Sequence, residues 1–150
     1  MITGLFETHI QVASLENSMK FYSALPGLEL ATIDQKRRIA FYWIGHQGEA
    51  MLGLWENKGE ITSQHFAFRS ELDIILKEAV PTLNRTNIEC YNFLKDGRSK
   101  PMVFGWMPAI AIYFRDPDHH ELELIAMLPQ NPRPELGIIS YEEWMAVSGR

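Results

Sequence analysis

Two histidines and one glutamate, His9, His65 and Glu123, are the residues on which chemistry can be built. Two imidazoles and a carboxylate make a facial triad when they converge, leaving positions open on a divalent metal for water and substrate. They lie far apart in the chain, so a reason to pair them is needed. His9 precedes Ser14 by five residues, and His65 precedes Ser70 by the same five. Each histidine sits on a strand that feeds a helix, and each helix is followed by three strands. The two closing strands also match, "MLGLW" with "ELELI", which sets Gly53 against Glu123. The second half is longer by about the size of the loop before Pro108. A duplicated βαβββ unit explains both the recurrence and the spacing. Equivalent positions on the two first strands are then expected to face each other, which pairs His9 with His65.

The elements that must position these side chains are legible as periodicities. Leu5–Val12 alternates, with Phe6, Thr8, Ile10 and Val12 on one face and Leu5, Glu7, His9 and Gln11 on the other. Leu15, Met19, Tyr22 and Leu25 form a helical stripe after a capping Ser14, ended by Pro26 and Gly27. "LELATID", "RIAFYWIG" and "EAMLGLWEN" read as strands. "ITSQHFAFRS" reads as another, with Ser70 and Asp73 at capping-box spacing. Leu72, Ile75, Leu76, Ala79 and Val80 form the second helical stripe, which Pro81 should kink or end. "TNIECYNF" reads as a short strand, the segment from Leu94 to Pro108 as a long loop, and "AIAIYFRD" and "HELELIAML" as the last two strands. Ser140 to Glu143 is a second capping box, opening a short final helix that carries Trp144.

Parity puts Glu121 and Glu123 on one face of the closing strand, and Tyr113 and Arg115 together on the strand before it. Glu7, Gln11, Tyr113, Arg115 and Glu121 are therefore pocket candidates beside the triad. His119 and His120 are adjacent, so on a strand they would point to opposite faces; at most one is expected to serve the site. "KDGRSK", Lys95 to Lys100, is a solvated loop on one reading and a flap meeting an anionic substrate on the other.

Composition bounds the alternatives. The chain has 150 residues, a net charge of −5 and one cysteine, Cys90. No intramolecular disulfide and no cysteine-based zinc cluster can form. An acidic chain repels nucleic acid unless its basic residues cluster. No run of eighteen apolar residues offers a membrane span, and the first residues lack the basic and apolar regions of a signal peptide, so a cytoplasmic protein is expected.

The stretches "ETHIQVASLENSMKFYSALPGLEL", "SQHFAFRS" and "IYFRDPDHHELELI" resemble the vicinal oxygen chelate superfamily, the glyoxalase, bleomycin-resistance, fosfomycin-resistance and extradiol-dioxygenase group. The resemblance implies an α+β fold: two tandem βαβββ modules, about 1–57 and 58–128, forming a curved, partly open barrel-like sheet, with 129–150 as a tail. It implies His9, His65 and Glu123 as ligands of Mn, Fe, Ni or Zn. Glu123 and Tyr113 are then catalytic, with Gln11, Arg115 and Glu121 binding substrate. Tyr113 matches a tyrosine lining the pocket of the fosfomycin-resistance thiol transferases. Two residues depart from the pattern. His119 stands where a glycine is usual, so the turn must accept a non-glycine residue, with a positive φ. Gly53 stands where glyoxalase I carries a fourth, glutamate ligand, which favours three-ligand members.

The functional expectation is a metal-dependent enzyme of lyase, thiol-transferase or dioxygenase type that polarises oxygens of a small substrate. The alternative is a non-enzymatic, drug-sequestering protein of the bleomycin-resistance type. An interaction role, with the tail and Trp144 making a homodimer contact, is the third.

Overall fold

The computed structural model describes residues 1–148. These form two compact units, Met1–Gln64 with Asp116–His120, and His65–Arg115 with the residues from Glu121 on. The second linear half thus lends five residues, the DPDHH turn, to the first unit.

The first unit runs β1 (Glu7–Val12), α1 (Leu15–Ser23), β2 (Leu28–Asp34), β3 (Ile39–Ile44) and β4 (Ala50–Glu56). Its sheet has the order β1-β4-β3-β2, with β1 parallel to β4 and the other pairs antiparallel. Ile10, Val12, Leu52, Leu54, Ala40 and Tyr42 are buried on one face, as are Leu15 and Tyr22 of the helix. Ser14 caps α1 as expected, its side chain accepting from the Asn17 amide.

The second unit runs β5 (His65–Arg69), α2 (Leu72–Lys77), α3 (Ala79–Arg85), β6 (Met102–Phe104), β7 (Ala109–Arg115), β8 (Glu121–Met127), β9 (Ile138–Ser140) and α4 (Tyr141–Ser148). Its order is β5-β8-β7-β6-β9, and β5 is parallel to β8. Up to β6 this repeats the order of the first sheet, so the duplicated βαβββ unit is present in the topology. The fold is α+β, built from two open sheets.

Three local expectations need correction. Ser70 does not cap α2: Glu71 holds the cap position without a side-chain bond, and the Ser70 amide donates to Ile125 O at 2.8 Å. The β5–β8 pairing thus takes that residue into the ladder. As expected of Pro81, the helical stripe breaks in two, at Glu78, because the proline has no N–H for the Lys77 carbonyl and its ring crowds that oxygen. "TNIECYNF" is not a strand. Ile88, Cys90 and Asn92 are buried and mimic strand alternation, but only Tyr91 pairs, exchanging two 2.9 Å backbone bonds with Tyr113. The third strand of the repeat is β6, inside the segment read as a loop.

The tail is not peripheral. β9 pairs with β6, and Gly105 admits the chain before β9 closely: a Cβ there would clash with Arg133 O. The final capping box forms as expected, with Ser140 Oγ 2.7 Å from Glu143 Oε2 and accepting from the Glu143 amide at 3.2 Å. Trp144 is fully buried among Ile75, Val103, Ile110, Ala126 and Leu128. Its assignment to a dimer contact is withdrawn: its ring is core, and its indole N–H donates to Gln130 Oε1 at 3.2 Å.

Candidate metal centre

The "DPDHH" turn is scaffold. Asp116 is buried and accepts from the Tyr22 hydroxyl and the His120 amide, each at 2.8 Å, and from the Asp118 amide at 3.0 Å. Burial pushes its carboxyl above the ordinary range, although these donors oppose the shift. Asp118 accepts from the Ala13 amide at 3.1 Å. His119 has φ 65°, the left-handed turn expected from the missing glycine, and is exposed. His120 is fully buried. Its Nδ1 accepts from the Gln64 amide at 2.9 Å, and its Nε2 donates to Gln11 O at 2.7 Å. Both ring nitrogens are spent on backbone, so His120 fastens β1 to the chain before β5. Sequence parity could not find that role, because the residue precedes the strand.

On the open face of the first sheet, the His9 ring stacks on Trp55, with centroids 5.4 Å apart, and meets the edge of Phe41 at 5.7 Å. Its Nε2 is 3.5 Å from Glu7 Oε1. Gly53 pairs with both His9 and Phe41. A Cβ at Gly53 would lie 3.0 Å from His9 Cδ2, 3.1 Å from Phe41 Cε1 and 3.2 Å from Trp55 Nε1. Three rings occupy the space a fourth ligand would need. Gln11 is exposed, and its side-chain oxygen is held by Asn57 at 2.9 Å.

The second unit brings His65, Glu123 and Tyr113 together. Register sets His65 against Glu121, Ala67 against Glu123, and Glu123 in turn against Tyr113. The histidine thus stands two residues from the register that His9 keeps with Gly53. His65 Nδ1 lies 3.0 Å from Glu121 O. A carbonyl only accepts, so Nδ1 carries a proton. Nε2 faces Glu123 Oε2 at 3.2 Å, while the glutamate side chain is 6% exposed. An imidazole nitrogen and a carboxyl oxygen at that separation share a proton or a cation. Burial pushes the Glu123 carboxyl above its ordinary range; hydrogen bonds from Tyr113 and His65 and the charge of His65 oppose the shift. Burial first, then the Glu123 charge, raises the Tyr113 phenol, which stays a donor. The His65 ring stacks on Tyr113 at 5.9 Å, and Tyr113 on Tyr91 at 5.8 Å.

Beside this group, one oxygen, Glu121 Oε1, accepts from Tyr91 Oη at 3.2 Å, Lys95 Nζ at 3.1 Å and Arg115 Nη2 at 3.2 Å. Lys95 first, then Arg115, holds this carboxyl below its ordinary range. Tyr91 and Lys95 were not among the expected pocket residues. The basic patch containing Lys95 was the available signal, while Tyr91 had none, since its place depends on one long-range bridge.

The donor set fits a divalent ion at His65 and Glu123. A metal-binding histidine usually gives its other N–H to a carbonyl or carboxylate. A nitrogen and an oxygen each roughly 2.0–2.2 Å from one ion stand about 3 Å apart, comparable with the separation seen here. Among the described residues, no group of three or more His, Cys, Asp or Glu side chains is assembled that could hold a metal ion.

Comparison with solved structures places the fold. An integron cassette protein from the mobile metagenome of the Halifax Harbour sewage outfall is 33% identical, with a TM-score of 0.70, covering 84% of this chain and 100% of its own. FosX, the fosfomycin resistance protein of Listeria monocytogenes, solved with Mn(II) and sulfate, is 23% identical with a TM-score of 0.62; 86% of this chain and 94% of that chain are covered. Lactoylglutathione lyase from Agrobacterium tumefaciens is 18% identical with a TM-score of 0.63, over 83% of this chain and 94% of its own. The chain belongs to one family with the integron cassette protein and has the fold of the vicinal oxygen chelate superfamily, to which its sequence was likened. No protein-family model and no curated protein matches it. Among the described residues, no helix is long and apolar enough to cross a membrane.

Proposed function

We propose that the chain is a metal-dependent enzyme in which His65 and Glu123 hold a divalent cation, with His9 as the third ligand. The observation that carries this reading is Nε2 of His65 facing the buried Glu123 carboxyl at 3.2 Å, with Nδ1 held by Glu121 O. A buried carboxylate is costly without a compensating charge, and a divalent ion supplies one. FosX, which shares the fold, has been solved with Mn(II). Such an ion polarises substrate oxygens and stabilises the negative charge that develops on them.

The chain's own residues do the rest. Glu121 O accepts from His65 Nδ1 and orients the ring. Tyr113 donates to the Glu123 carboxylate and holds it in place. Its phenol, kept protonated by burial, is a proton source beside the reacting oxygens. The stacked rings of His65, Tyr113 and Tyr91 line the site with aromatic edges.

Elemental analysis of the purified protein tests this. About one equivalent of divalent metal is expected, falling at least about tenfold in affinity in His65→Ala and Glu123→Ala, as for lost ligands or their close supports. His9→Ala reads the third ligand. Metal content unchanged in all three variants would sink the reading.

A further inference from the structure

We infer that Tyr91, Lys95 and Arg115 form an anion subsite, and that the substrate is a small planar ring bearing a carboxylate. The inference deepens the proposed function and rests on it for the reaction, though not for binding.

Charge is the first argument. Two cations converge on one carboxylate, Lys95 Nζ at 3.1 Å and Arg115 Nη2 at 3.2 Å from the same Glu121 oxygen. One negative charge does not neutralise two positive ones, and both cations are half exposed. An arginine fork and an ammonium side by side suit a planar oxyanion. Both cations also lie over one ring: Lys95 Nζ is 5.8 Å and the Arg115 guanidinium 5.3 Å from the Tyr91 centroid. That holds them close to the sheet.

Shape is the second. Tyr91, Tyr113 and His65 stack in a row at interplanar angles of 26°. Phe93, itself exposed, tilts onto Tyr113 with centroids 6.2 Å apart. Stacked rings cover one another's faces and leave a row of edges, against which a flat ring sets its face.

Span is the third. Glu121 and Glu123 share one face of β8, two residues apart, roughly 7 Å along a strand. The cations mark the first and the His65 pair marks the second. A single six-membered ring with a carboxylate at one end and an oxygen at the other bridges that interval.

Benzoate, benzamide and cyclohexanecarboxylate are the probes, titrated into chelator-treated full-length protein and followed by NMR of the tyrosine ring signals. Benzoate is expected to bind at least about tenfold more tightly than the neutral amide, since its contacts are charge-assisted. It should also bind more tightly than the puckered cyclohexane acid. The Lys95→Gln/Arg115→Gln double variant should lose the preference for the acid over the amide, and Lys95→Arg should keep it. Equal binding of acid and amide, or a preference that survives the double variant, overturns the anion subsite. Equal binding of the flat and puckered acids overturns the planar class. Chelation takes the metal out of this test, so its failure is separate from that of the metal reading, which elemental analysis decides.

Discussion

Gly53 shows how one missing side chain can be explained by its neighbours. Its lack of a fourth ligand is not an erased carboxylate in an empty space. His9, Phe41 and Trp55 already fill that space to within 3.0–3.2 Å of where a Cβ would stand. Gly53→Ala should therefore destabilise the chain by about 1–3 kcal/mol, the usual cost of overpacking, measured by denaturant unfolding. Gly53→Glu should not add metal affinity, because the rings must leave before a carboxylate can enter. A stable, tighter-binding Gly53→Glu protein would contradict this account. His120 makes the opposite point: a residue with every attribute of a ligand has both ring nitrogens committed to backbone.

The final helix and strand carry a comparable lesson for elements. α4 is short, and its capping box contributes about 1 kcal/mol; neither fact alone would make it matter. What anchors it is Trp144, which lies in the core of the second unit with Ile75 of α2, Val103 of β6 and Ile110 of β7. Trp144→Ala should cost about 3–5 kcal/mol, as for other buried aromatics, whereas Ser140→Ala should cost only about 1 kcal/mol. Thermal or denaturant unfolding of the two variants compares them directly. A near-neutral Trp144→Ala would return the tail to the periphery.

For the molecule entire, the repeat is the organising fact. Both repeats set their first strand parallel to their fourth, with the middle strands following in the same order. That leaves β1 and β5 at sheet edges, each presenting a histidine on its open face. If the proposed ion binds the native state and not the unfolded chain, Mn(II) at a hundred times its dissociation constant should add about 2.7 kcal/mol to stability. The melting temperature should rise by a few degrees and return on chelation. A melting curve indifferent to metal and chelator would count against any bound ion, whatever the fold.

How much of this was legible beforehand follows from what periodicity can report. Alternation and helical stripes are local, so they predicted the duplicated βαβββ unit, the caps at Ser14 and Ser140, and Glu121 with Glu123 on one face; the positive φ at His119 came from the family resemblance. The same local signal misled at "TNIECYNF", where buried Ile88, Cys90 and Asn92 alternate without a partner strand. It was silent on Tyr91, whose place beside Tyr113 depends on one long-range pair. It also missed that the DPDHH turn belongs to the first unit. The sequence by itself determined which side each strand residue shows, because the backbone alternates side chains regardless of context. Only the tertiary structure decided register and hydrogen-bond partners: which oxygen His65 faces, which nitrogens His120 spends, and which cations meet Glu121. Those depend on distant segments brought together by the burial of a common core.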